Sequence, residues 1–208
     1  MNKNILLCGV GGQGTVLASK LIAAAAMKKG LSVMSAETIG MAQRGGSVFS
    51  HIRIGDNLHS PMIATGTADI LIGFEPGETV RMLPYLKKDG QVIVSSHAII
   101  PVTAVLSNGS YDPEAMLAYL KQTVAHLLVI DTEEACLTLG SSKILNILLL
   151  GAAIESGALG LTESEIKDAI KERLPERFHE LNFQALNYFH ETMPSTFSGS
   201  NNTNISGK

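Results

Sequence analysis

Tryptophan is absent from this chain of 208 residues, and aromatic residues together make up 5% of it. Platforms that stack the bases of single-stranded nucleic acid are built from aromatic rings, so that class of ligand is disfavoured. Charge is scarce as well. Sixteen Lys and Arg face nineteen Asp and Glu, the formal net charge is -3, and the sequence pI is near 6.1. No basic stripe is available to follow a phosphate backbone, and no nucleic acid partner is expected. The two cysteines, Cys8 and Cys136, form no C-x-x-C pair. They are too few for a self-contained iron–sulfur cluster or a cysteine-built zinc site. Six histidines are scattered with no H-x-x-x-H pair, so no metal site is expected among them. Long apolar runs are missing too. "ILNILLLGAAI", Ile144 to Ile154, is interrupted by Asn146 and too short for a bilayer. The opening "MNKNILLCGVGGQG" lacks the length and small-residue ending of a signal peptide. A soluble cytoplasmic protein, with no membrane partner, is expected.

What is present is apolar. Hydrophobic residues are 45% of the chain and charged residues 17%, rich enough that a partner is expected to cover part of the surface. The pattern alternates strand and helix. Ile5 to Cys8 is a short apolar run closed by glycine. A helical period follows from Gly12 to Lys29, stopped by Gly30, and "LSVMSAE" reads as a second strand. This is a βαβ unit, whose strands are expected to lie side by side in parallel. Val48, Ile52 and Ile54 then alternate with Phe49, His51 and Arg53, and Gly55-Asp56-Asn57 supplies a turn. A β-hairpin is expected here, returning through Leu58 to Ile63, with His51 on a solvated face. Further strands are expected at Asp69–Phe74, Gln91–Ser95 and "LLVID", with helices at Pro76–Leu86 and from Asp112-Pro113 onward. The last third is helical. Ser142 reads as a cap for a helix to Glu155, Thr162–Glu165 as a capping box, and Phe178–Thr192 as a final helix. The fold class is therefore α/β: a Rossmann-like, mostly parallel sheet with an inserted β-hairpin and a helical C-terminal part. Residues 1–193 read as one domain, and 194–208, polar and aperiodic, as a disordered tail.

Two glycine clusters carry the chemistry. Gly9, Gly11 and Gly14 match G-x-G-x-x-G between a strand and a helix, the context in which backbone amides and a helix N-terminus meet a phosphate. Gly11, Gly12, Gln13 and Gly14 are the candidate cofactor-facing residues of this turn. Glu37, at the end of the second strand, stands where an acidic group would hold a ribose. The same glycines also serve a plain tight turn, and a dinucleotide is one of two readings. The second cluster is Arg44, Gly45, Gly46 and Ser47, at the expected carboxyl edge of the sheet. There a guanidinium offers bidentate hydrogen bonds to phosphate or carboxylate, and the glycines allow close backbone approach. A flexible hairpin entry with a solvated Arg44 is the other reading. Glu75 and Glu78 read as acidic residues at a helix start, where the dipole favours them.

The stretches "GVGGQGTVLASKLIAAAAMKKGLSV", "SAETIGMAQRGGSVFSHIRIGD" and "ADILIGFEPGETVRMLPYLKKDGQVIV" resemble the gamma-type module of 2-oxoacid:ferredoxin oxidoreductases. Within that family "ETIGMAQRGGSVFSHIRIG" is most similar to the small (beta) subunits that act on indolepyruvate, with Ile39 where a histidine would be expected. "KILNILLLGAAIESG" and "ERFHELNFQALNYF" resemble the family's helical end, including Asn146 and Asn182. The resemblance implies an enzyme subunit with no catalytic residue of its own. Thiamine diphosphate, Mg and iron–sulfur clusters would belong to a larger catalytic (alpha) subunit, and ferredoxin would be reached through the complex. The 2-oxoacid and CoA would be the substrates, with CoA a candidate for contact with the two glycine clusters. A gamma subunit for pyruvate, 2-oxoisovalerate or 2-oxoglutarate, and a stand-alone NAD-binding protein, stay open as alternatives.

Overall fold

The computed structural model describes residues 1–38, 45–100, 111–190 and the backbone of 203–205. Seven strands form one sheet: β1 (Lys3–Val10), β2 (Val33–Glu37), β3 (Ser47–Ile54), β4 (Ala68–Gly73), β5 (Leu86–Ser95), β6 (His126–Ile130) and β7 (Thr203–Ile205). Their order is β2-β3-β1-β4-β5-β6-β7. From β1 to β7 every neighbouring pair is parallel, while β3 runs antiparallel to both β1 and β2. The helices are α1 (Thr15–Lys28), α2 (Pro76–Met82), α3 (Pro113–Thr123), α4 (Thr132–Thr138), α5 (Leu145–Glu155), α6 (Glu163–Arg173) and α7 (His179–Asn187).

The centres of β1, β4 and β6 and the end of β5 read as apolar runs because both faces of the sheet are covered there. Ile5, Leu7, Ile52, Ile70, Ile72 and Leu128 point to a core completed by α1, α5, α6 and α7. Leu6, Cys8, Leu71, Val92 and Val94 point the other way, toward Met82 of α2 and Leu120 of α3. Helix starts follow local chemistry. The carboxylates of Glu75, Asp112 and Asp131 accept from the backbone N–H three residues on, and Thr162 with Glu165 forms both bonds of a capping box.

The mostly parallel α/β sheet, the inserted antiparallel element and the helical end agree with the expectation from sequence. The pairing differs in three places. First, β1 and β2 do not touch, because β3 lies between them. β3 carries side chains that are buried on both of its faces, and it is paired along both edges. Second, Leu58 to Ile63 is not the return arm of a hairpin; it holds no strand, and β3 finds its partners in β1 and β2. Third, the second helix stops at Met82, a 3-10 turn follows at Leu83–Tyr85, and β5 begins at Leu86, ahead of the expected Gln91. Ser141, one residue before the expected cap, accepts from the N–H of Lys143 ahead of α5. The seven residues of α4 carry no long period and form on the cap at Asp131. Of the polar tail, 194–202 and 206–208 lie outside the described residues. Thr203–Ile205 forms β7, a short strand that needs only backbone groups to pair with the edge of β6.

Candidate functional site

Helices α1 and α2 leave the neighbouring strands β1 and β4 toward opposite faces of the sheet. Their carboxyl ends thus flank the switch point where ligands of open α/β sheets bind. Here Gln13 bridges it. Its Oε1 accepts from the Val10 N–H at 2.7 Å and its Nε2 donates to the Phe74 carbonyl at 2.8 Å. Gly9 has to be glycine beside this bridge, since a Cβ there would stand 2.6 Å from Gln13 Oε1 and 2.7 Å from Phe74 Cβ. Gly14 caps α1 in the left-handed region at φ 83°, and its carbonyl accepts from Asn146 Nδ2 at 3.4 Å.

The two glycine clusters meet. The Gly11 N–H donates to the Gly46 carbonyl at 2.9 Å, so that amide is engaged within the chain. Gly45 adopts φ 66°, and the Ser47 hydroxyl donates to Glu78 Oε2 at 2.5 Å. Arg44 lies outside the described residues. Glu37 is not positioned as a dinucleotide site requires. With β3 interposed it stands two strands from the glycine turn, roughly 10 Å instead of 5 Å, and it accepts a hydrogen bond from Ser19 Oγ at 3.3 Å.

A cleft of about 750 Å³ opens at the same edge, between the glycine turn and α4. Gly11, Gly12 and Gln13 form one wall, and Cys136 and Leu137 the other, with Ile99 and Leu145 adding apolar surface. Ser141 and Ser142 supply hydroxyls at its rim. The ends of β5 and β6 are stapled beneath it by a buried contact of 2.6 Å between Ser95 Oγ and Thr132 Oγ1. Ser95 Oγ also accepts from the His97 N–H, and His97 Nδ1 stands 3.3 Å from Glu133 Oε2. Burial and the Glu133 charge push the Cys136 thiol up. Sequence reasoning missed this wall. The signal for it was Asp131 three residues before Glu134, a cap pattern too short to read as a helix of consequence.

Two residues differ from expectation. His51 is buried, not solvated. Its ring meets Phe49 and Tyr85 edge-on, its Nδ1 accepts from the Ile63 N–H at 3.2 Å, and desolvation lowers its pKa. Glu75 does start a helix, but it is buried. Burial pushes its carboxyl up, while hydrogen bonds from the Tyr111 hydroxyl and the Glu78 N–H pull it back.

A family model described as pyruvate ferredoxin/flavodoxin oxidoreductase matches residues 4–191. The chain belongs to this family. An indolepyruvate oxidoreductase subunit IorB of Methanothermobacter thermautotrophicus is 37% identical over 186 residues, covering 89% of this chain and 94% of that protein. The subunit of the same name from Archaeoglobus fulgidus is 35% identical over 187 residues, 89% of this chain and 92% of the other. The fold recurs in the pyruvate oxidoreductase subunit PORC of Thermotoga maritima, with a TM-score of 0.66 at 22% identity over 91% of this chain and 96% of that one. The chain is thus a small, gamma-type subunit of the 2-oxoacid:ferredoxin oxidoreductase family, and part of an enzyme.

Cys8 is buried in the α2–α3 layer and Cys136 sits on α4, against the opposite layer. Among the described residues no three His, Cys, Asp or Glu converge as metal ligands. Gly55-Asp56-Asn57 is at the far end of the sheet from the cleft, since Ile54 pairs with Lys3 at the start of β1. Among the described residues no helix is long and apolar enough to cross a membrane.

Proposed function

We propose that this chain is the small subunit of an indolepyruvate (aryl 2-oxoacid):ferredoxin oxidoreductase working in the cytoplasm. The complex decarboxylates the 2-oxoacid oxidatively, passing the acyl group to CoA and the electrons to ferredoxin. A larger subunit carries thiamine diphosphate, magnesium and the iron–sulfur clusters. This chain closes the active site with its carboxyl edge. Gly11, Gly12, Gln13, Gly14, Gly45, Gly46 and Ser47 shape that edge, and Arg44 meets the anionic part of CoA.

The observation that carries the reading is the likeness to indolepyruvate oxidoreductase subunits, at 33–37% identity over most of both chains. A pyruvate/ketoisovalerate common subunit gamma of Thermococcus kodakarensis is 30% identical over 179 residues, which keeps a pyruvate or branched-chain 2-oxoacid as the second reading. A solved 2-oxoglutarate:ferredoxin oxidoreductase from Magnetococcus marinus, with coenzyme A bound, contains a region of this fold (TM-score 0.67, 19% identity, covering 89% of this chain and 30% of that one).

The test is anaerobic ferredoxin reduction by the complex of this chain with its larger subunit. Indolepyruvate is expected to exceed pyruvate, 2-oxoisovalerate and 2-oxoglutarate in kcat/KM. A preference for any of the last three would overturn the substrate assignment, and nicotinamide reduction by this chain alone would overturn the subunit role.

A further inference from the structure

We propose that Glu78 is a positioning residue: through Ser47 it clamps the second glycine cluster against the glycine turn, in the place where that cluster meets CoA. The proposal rests on the reading above and names the side chain that holds the cluster there.

Glu78 stands in the first turn of α2, where the helix dipole favours a carboxylate. That does not account for its direction. The start of α2 is already capped by Glu75, whose Oε2 accepts from the Glu78 N–H at 2.9 Å. The Glu78 side chain reaches off its own helix instead, to the first residue of β3. Its Oε2 accepts from Ser47 Oγ at 2.5 Å, and Arg81 Nη2 donates to the same oxygen at 2.7 Å. The Glu78 side chain is 12% exposed. A hydroxyl-to-carboxylate bond so shielded from water is among the stronger side-chain contacts.

Ser47 is the point at which a clamp has most effect. It stands opposite Val10 in the last pair of the β1–β3 ladder. One residue before it, the Gly46 carbonyl accepts from the Gly11 N–H at 2.9 Å. Two successive glycines leave this stretch conformationally permissive, and the Ser47 hydroxyl ties it to a helix. The helix is itself fixed. Glu75 is buried, its Oε1 accepts from the Tyr111 hydroxyl, and its carbonyl accepts from Thr79 Oγ1 at 2.7 Å. Tyr111 packs so closely on Gly77 that a Cβ there would stand 2.6 Å from its hydroxyl oxygen. Glu78 thus links a rigid base to a permissive loop. A loop held in its binding geometry beforehand loses less freedom when ligand arrives.

The experiment measures amide hydrogen exchange at Gly11, by NMR on the full chain, and the KM for CoA in the complex with the larger subunit. The variants are Ser47→Ala, Glu78→Ala, the two together, Glu78→Gln and a stability control, Thr162→Ala. Thr162 caps α6, whose Glu165 meets Lys29 at the end of α1 remote from the glycine turn. The proposal expects about tenfold less protection at Gly11 and about tenfold higher KM for CoA in each single alanine variant, with kcat nearly intact. The double variant adds no more, because both changes remove one bond. Glu78→Gln keeps an acceptor for Ser47 and stays near wild type, as does Thr162→Ala. Unchanged Gly11 protection in both single alanine variants overturns the proposal. So does an equal loss in Thr162→Ala, which would make Glu78 a contributor to general stability alone. A raised KM in Arg44→Ala with none in Ser47→Ala or Glu78→Ala also overturns it, and leaves the CoA reading intact. Lost Gly11 protection with CoA kinetics unchanged in every variant, Arg44→Ala included, supports the clamp and removes the CoA reading, so the two fail separately.

Discussion

Gln13 acts through both ends of its amide, Oε1 on the Val10 N–H and Nε2 on the Phe74 carbonyl. Replacing it by the similarly sized leucine removes the side-chain partners of the Val10 N–H and the Phe74 carbonyl at the switch point. Gln13→Leu is expected to cost about 2–3 kcal/mol, read as a fall in Tm of roughly 2–4 °C per kcal/mol for a chain of this size. A Tm unchanged within error would mean that the bridge does not hold the turn. His51 makes a prediction in pH. Its imidazole is buried against Phe49 and Tyr85, and desolvation lowers its pKa below the ordinary value. A histidine whose folded pKa is lowered stabilises the fold above its unfolded value and loses that contribution as pH falls below it. Denaturant unfolding should therefore show stability declining between about pH 7 and pH 5, and His51→Phe should flatten that part of the curve. Equal slopes in the two proteins would assign the decline to other groups.

At the scale of elements, α5 is buried almost all round, and its contact with α7 sets how close those two helices lie. Gly151 makes that approach possible, because an added methyl would run into the Leu186 backbone carbonyl. Gly151→Ala, ordinarily a gain in helix propensity, is expected instead to destabilise by about 1–3 kcal/mol through overpacking. An increase in Tm would show that α7 shifts freely. α6 depends on its start. Thr162 and Glu165 satisfy each other's backbone donors, so Thr162→Ala should cost about 1 kcal/mol, measured by urea midpoint at unchanged m-value. This capping box was legible from four letters, as were the Pro76 and Asp112-Pro113 helix starts, since caps are local. The α4 helix was not, because seven residues carry too little periodicity. The place of β3 was not either, because which strands pair along its two edges is decided by parts of the chain distant in sequence and not by its own pattern.

For the whole molecule, the functional statement concerns an assembly, and Arg44 tests it there. Arg44→Ala is expected to raise the KM of the complex for CoA by about tenfold while leaving kcat nearly intact, as loss of a binding contact does; unchanged CoA kinetics would remove Arg44 from the site. The glycine clusters were found as motifs, and the structure joins them through the Gly11–Gly46 hydrogen bond. What could not be read was that Gln13 would turn inward and that Glu37 would stand a strand too far away, since both follow from contacts between residues distant in sequence. The sequence by itself determined the α/β class, the helix caps and the shortage of cofactor ligands, because propensity, capping and ligand number are local or additive properties. Only the tertiary structure decided that β3 separates β1 from β2, that His51 and Glu75 are buried, and that a cleft opens beside α4. Those are outcomes of packing, in which each residue's surroundings are supplied by parts of the chain that its own neighbours in sequence do not specify.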